Sequence, residues 1–171
     1  MSDKLAAPPS IGPLTRETLP PPQGRQADDR QGFLCFTIGD EEYGVDLNMV
    51  RQIVKPPPVA WVPRTPSHIL GVISIRGAVV TLLDLGLILG HGPCAWPRTA
   101  RVLIVDMWEE QVGVLVDAVT QVRRLDPSAL EAGAALSGCA RSENVRYVAR
   151  PGGGALFTIV DLDAILGERL K

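Results

Sequence analysis

The chain has 171 residues, 46% of them apolar, and a formal net charge of −2. That is enough for one domain with a sizeable core. It argues against nucleic acid as the main partner, because phosphate binding needs a concentrated basic face and only three of the 17 cations are lysines. No apolar run approaches the roughly 18 residues that span a bilayer, and the N-terminus lacks a charged-then-apolar secretory pattern. A cytosolic protein without direct membrane insertion is expected. Cys35, Cys94 and Cys139 are far apart and form no Cys-x-x-Cys pair, and His68 and His91 are the only histidines. No metal or cofactor is therefore expected. No nucleophile sits in a recognisable elbow, so no enzyme is expected either.

Residues 1–31 hold six of the 15 prolines and few large apolar side chains. They read as a flexible proline-rich tail that buries too little surface to offset the entropy of ordering. Phe33 to Ile38 reads as a strand, with Cys35 a small core residue. Gly39-Asp40-Glu41-Glu42 reads as a solvated hairpin tip, and Tyr43 to Val45 begins the return strand. Asp46 is a good helix N-cap, and Leu47, Val50 and Ile53 recur at helical spacing, so a helix is predicted up to Pro56-Pro57-Pro58. Thr65-Pro66 predicts a short helical turn through Leu70.

Gly71 to Leu85 then reads Gly-Val-Ile-Ser-Ile-Arg-Gly-Ala-Val-Val-Thr-Leu-Leu-Asp-Leu. Two β-branched apolar runs flank Arg76-Gly77, which predicts strand, turn, strand, with one guanidinium fixed beside the turn. The plainer reading is an ordinary hairpin with a solvated arginine. Residues 91–98 form a Gly- and Pro-rich loop. Arg101 to Met107 and Gln111 to Leu125 are β-type runs. Ala132 to Ala140 reads as irregular. Asn144 to Arg150 and Ala155 to Val160 are strands joined by Pro151-Gly152-Gly153-Gly154, a hairpin turn rather than a phosphate loop, since no Lys-Ser/Thr follows. Asp161 caps a final helix carrying Leu162, Ile165, Leu166 and Leu170. About nine or ten short strands with two or three short helices make a mostly β chain.

Three segments in register carry a resemblance. Gly-x-x-x-x-Arg-Gly with a hydrophobic strand and Asp84-Leu85 resembles the signature of the CheW family of chemotaxis coupling proteins. Phe33 to Asp46 resembles that family's opening hairpin, and Val112 to Val122 its second-barrel strand. The likeness runs from about Gly32 to the C-terminus. Ser74 and Thr81 depart from the asparagine and proline usual in the family. The resemblance implies two packed five-stranded SH3-like β-barrels with a few short helices, residues 32–171, meeting near 91–99 with some strand exchange.

It also implies a non-enzymatic adaptor, monomeric in isolation, recruited from the cytoplasm to membrane receptor arrays. Its partners would be the cytoplasmic tip of a methyl-accepting chemoreceptor and the regulatory domain of a CheA-type histidine kinase. Motif by motif, Val50, Gln52 and Ile53 fall at one lip of the family's receptor groove, Val119 and Val122 at the other, and Arg76 at the Arg-Gly position. Gln52 stands where a family member often carries an acid. Core packing is the competing reading for the valines. Asp84 is a candidate partner for Arg76, with a turn residue as its competing reading. From another class, the alternative is a β-barrel binding single-stranded nucleic acid, which needs aromatic platforms and a basic groove.

Overall fold

The computed structural model describes residues 30–107, 110–132, 145–149 and 157–167. Eleven strands and two short α-helices occur among them: β1 (Gln31–Ile38), β2 (Glu41–Asp46), β3 (Val50–Val54), β4 (Ile69–Ile75), β5 (Ala78–Asp84), α1 (Leu85–Leu89), β6 (Arg101–Met107), β7 (Glu110–Val116), β8 (Ala118–Leu125), β9 (Leu130–Ala132), β10 (Val145–Ala149), β11 (Phe157–Val160) and α2 (Leu162–Gly167).

The strands form two sheets. A six-stranded sheet has the order β8-β1-β2-β11-β10-β9, and a five-stranded sheet the order β3-β6-β7-β5-β4. The chain leaves the larger sheet after β2, builds the whole smaller sheet with β3 to β7, and returns with β8. Each sheet has one parallel pair, β2 with β11 and β5 with β7, among antiparallel ones. Beyond β3, Ala60 bridges Val72 of β4 and draws the two edges of the smaller sheet toward each other.

Alternation along the strands sorts the apolar side chains into three cores, because successive residues of a strand point to opposite faces. Phe33, Cys35, Phe157 and Ile159 fill the interior of the larger sheet. Ile73, Val80, Leu82, Val102, Ile104 and Leu115 fill the smaller. The third and largest core is the seam between them. Leu34, Phe36 and Val45 meet Leu83, Leu103, Val105 and Val114 there, with α1 and α2 adding Leu85, Ile88, Leu162 and Ile165.

The two halves repeat one another. Thr81-Leu82-Leu83-Asp84-Leu85-Gly86-Leu87-Ile88-Leu89-Gly90 matches Thr158-Ile159-Val160-Asp161-Leu162-Asp163-Ala164-Ile165-Leu166-Gly167 as Thr-x-x-Asp-Leu-x-x-Ile-Leu-Gly. Each copy is a strand, an aspartate and a one-turn helix. The Asp84 carboxylate accepts from the Leu87 N–H at 3.2 Å. The Asp161 carboxylate accepts from the Ala164 N–H at 3.1 Å. Each satisfies an amide that the helix start leaves without an intrahelical partner.

Several expectations need correction. The helix predicted after Asp46 is a single 3-10 turn, Leu47–Met49, followed by strand β3. Asp46 does cap that turn, accepting from the Asn48 N–H at 2.9 Å. Thr65-Pro66 opens a single turn closed by the Ile69 N–H donating to the Pro66 carbonyl at 2.9 Å, not a helix. The Thr65 hydroxyl donates to the Val62 carbonyl, and Ile69 already begins β4. The hairpin tip is solvated at Gly39, Asp40 and Glu41 as expected, but Glu42 is tied down: it accepts from Arg123 at 2.9 Å and from Thr120 at 3.0 Å. Strand β9, entered through a 3-10 turn at Pro127–Ala129, gives one sheet a sixth strand that the sequence reading lacked. The tail before residue 30, most of the irregular stretch after Ala132, the glycine turn at 151–154 and Leu170 lie outside the described residues.

Candidate functional site

The edge strands β3 and β8 each pack a valine, Val50 and Val119, against the seam and share a local pattern. Val50-Arg51-Gln52-Ile53 and Val119-Thr120-Gln121-Val122 each contain a β-bulge. Val50 opposes Val105 and Gln52 opposes Ile104, so Arg51 is the extra residue. Val119 opposes Phe36 and Gln121 opposes Cys35, so Thr120 is the extra residue. An inserted residue resets the alternation and bends the strand.

Each bulge turns two residues three apart onto one face. Val50 and Ile53 oppose the seam residues Val105 and Leu103. Val119 and Val122 oppose the seam residues Phe36 and Leu34. Val50 and Val119 are half-buried against the seam, whereas Ile53 and Val122 keep 41% and 49% of their surface in water. Gln52 and its counterpart Gln121 turn to the opposite face, beside Ile104 and Cys35 of the two interiors. The two lips thus bring four of the expected residues onto the seam face and leave Gln52 off it.

The extra residues brace the lips. Arg51 pairs with Asp106 of β6, holding that carboxyl below its usual range, chiefly through the hydrogen bond. Thr120 donates to Glu42. Two apolar side chains of the 3-10 turn, one exposed and one partly buried, were not foreseen. Leu47 is 37% exposed, and Met49 packs on the seam.

Arg76 is placed differently. It occupies the two-residue turn between Ile75 and Ala78, with φ +51 followed by Gly77 at +86. It is exposed, and among the described residues it has no hydrogen-bond or ion-pair partner. Its hairpin forms the edge of the smaller sheet opposite β3. The expected partner, Asp84, is at the other end of β5 and is 1% exposed. Its second oxygen accepts from the Cys94 N–H at 2.8 Å. Asp84 is therefore a buried cap, and the Arg76 pairing is wrong.

A cavity of about 430 Å3 lies where the loop at residues 91–95 crosses the β1–β2 turn. Its polar groups hold one another. Asp117 accepts from the Gly39 N–H at 2.7 Å and from the Cys94 thiol at 3.1 Å. The Tyr43 hydroxyl donates to Glu41 at 2.5 Å and lies 2.7 Å from His91 Nε2. Burial, then the bond to Asp117, pushes the Cys94 thiol up to about 12. A thiol held protonated is a poor nucleophile and metal ligand. No group of three candidate ligands able to hold a metal occurs among the described residues.

The family model of the CheW-like domain matches residues 32–170. The chain belongs to the CheW-like family. It is 41% identical over 95 residues to a probable chemotaxis protein CheW of Rhizobium etli, covering 55% of this chain and 60% of that protein. It is 34% identical over 100 residues to the protein FrzA of Myxococcus xanthus, covering 58% and 62%. The chain thus spans about three-fifths of the length of these curated relatives. Among solved structures it resembles the scaffolding protein TtCheW of Thermoanaerobacter tengcongensis, with a TM-score of 0.72, 26% identity, and coverage of 80% of this chain and 92% of that one. The double SH3-like architecture expected from the sequence is thereby shown. The repeated Thr-x-x-Asp-Leu strand and the repeated bulges are how this CheW-like chain builds it.

Proposed function

We propose that this CheW-like chain is a non-enzymatic adaptor that couples a chemoreceptor's cytoplasmic tip to the regulatory domain of a CheA-type histidine kinase. It would be monomeric in isolation, cytoplasmic, and recruited to membrane receptor arrays. One observation supports it above others. The two bulged edge strands each turn an exposed apolar side chain, Ile53 and Val122, onto the seam face beside the half-buried Val50 and Val119. Such side chains suit the apolar stripe of an amphipathic helix, the element a receptor's helical tip presents. Arg76, unpaired on its turn, is a cation for a carboxylate of either partner. On this reading the two halves meet near 91–99, with β1 and β2 exchanged into the second.

The nucleic-acid alternative has no comparable support. The lips are apolar, and Trp61 and Trp96 lie outside them, in loops. The test is calorimetric binding of a purified helical-hairpin fragment of a receptor tip. Ile53→Asp and Val122→Asp are expected to cost about 2 kcal/mol each, roughly thirtyfold in affinity. Each side chain keeps nearly half of its surface in water, so the thermal midpoint should fall by only a few degrees. Unchanged binding in both variants would refute the groove.

A further inference from the structure

The turn Leu47–Met49 joins β2 to the lip strand β3, and its shape depends on a contact behind the sheet. Asp46 makes two hydrogen bonds. One carboxylate oxygen accepts from the Asn48 N–H at 2.9 Å, and the other from Gln31 Nε2 at 2.7 Å. Asp46 opposes Phe33, whose ring fills the interior of the larger sheet, so this contact lies on the interior face. Leu47 lies on the seam face. It covers Gly32, where an added Cβ would be 3.4 Å from Leu47 Cδ2. Gly32 opposes Arg124 and Leu34 opposes Val122, so Leu47 extends the Val122 lip along one face.

We propose that Gln31 and Asp46 form a latch that positions Leu47 as a further contact for the apolar helix in the groove. The proposal rests on the groove reading above. The latch is a pure hydrogen-bond complementarity: an amide donates and a carboxylate accepts. Asp46 is a positioning residue that acts through Leu47 and stays clear of the helix. Glycine at position 32 leaves room for the leucine without pushing it off the sheet.

The complementarity predicts a pattern of rescue. Gln31→Glu sets two carboxylates against each other and releases the turn. Asp46→Asn in that background restores a donor–acceptor pair and the original net charge. Asp46→Asn alone is tolerated, because Gln31 can turn its amide and accept. Binding of the receptor-tip hairpin fragment to the full chain reads all variants. Gln31→Glu is expected to weaken binding about tenfold, and the double variant to return to within about twofold. Leu47→Ala should weaken the wild type by a similar factor and add little to Gln31→Glu, since released and truncated leucines lose the same contact.

Thermal midpoints of all variants should stay within a few degrees. Additive losses from Leu47→Ala and Gln31→Glu would overturn the latch, as would full binding by Gln31→Glu while Val122→Asp loses it. Full binding by both Val122→Asp and Ile53→Asp would overturn the groove itself, and the latch with it.

Discussion

At the scale of single residues, the backbone of Arg76 separates the demands of the turn from those of a partner. A side chain at φ +51 is in the left-handed region, which costs an L-residue roughly 1–2 kcal/mol unless it is Gly, Asn or Asp. Arg76→Asn is therefore expected to raise stability by about 1 kcal/mol, seen as a higher denaturation midpoint. It also removes the cation. If partner binding falls while the midpoint rises, the arginine is retained for contact. If both rise, the turn is its only role.

The thiols make an opposite case. Burial holds Cys35 up at about 11 and, with Asp117, Cys94 at about 12. A raised native pKa means that native protein keeps a proton the unfolded chain loses above its ordinary thiol range. These groups contribute full stability below about pH 9 and lose it as pH climbs toward their native values. At pH 8 both should alkylate far more slowly than a model thiol, and denaturant should abolish the difference. Rapid labelling of folded protein would show that the loop carrying Cys94 opens readily.

At the scale of elements, the two aspartate caps are one device in two settings. Among the described residues the Asp161 carboxylate accepts a single capping bond, at a partly exposed site. Asp84 is buried, caps α1 and also anchors the loop through Cys94. Replacing Asp161 by alanine should cost about 1 kcal/mol, the usual worth of a cap. Replacing Asp84 strands two amides and should cost about 2–4 kcal/mol. Chemical denaturation of both variants tests the ranking, and equal losses would contradict it.

The Asp161 cap was legible as strand–Asp–helix in the sequence, whereas Asp84 was read as a turn residue or an ion-pair partner, and the helix α1 that it caps was not predicted. The strands around Arg76 and the last helix were legible too, because their apolar periodicity is uninterrupted. The segment after Asp46 was not. Its bulge places Val50 and Ile53 three apart on one face, and that spacing imitates a helix. The signal that resolves it was present in the second copy: Val119-Thr120-Gln121-Val122 repeats Val50-Arg51-Gln52-Ile53 inside an evident β run. Comparing the chain with itself would have identified the bulge and the pairing of the lips. Leu47 was masked for the same reason, since it appeared to belong to the helix's buried face.

At the scale of the whole molecule, the seam decides cooperativity. The smaller sheet is contiguous in the chain, from β3 to β7, and resembles a separable domain. Its outer face argues otherwise. Leu83, Leu103, Val105, Val112, Val114 and Val116 are all buried in the seam, against side chains of the other sheet and of α2. Cut free, residues 47–116 would expose that row to water, a patch larger than a monomeric domain tolerates. The larger sheet is no more independent, because its strands β1 and β2 come from one end of the smaller sheet's sequence and β8 to β11 from the other. The intact chain should therefore melt in one transition, with calorimetric and van't Hoff enthalpies in agreement. The fragment 47–116 should lack a cooperative transition and bind a hydrophobic dye. Two resolved transitions in the intact chain, or a fragment that melts sharply, would mean that each barrel interior suffices alone. The groove along the seam would then join two bodies free to move, instead of being a surface held rigid by a shared core.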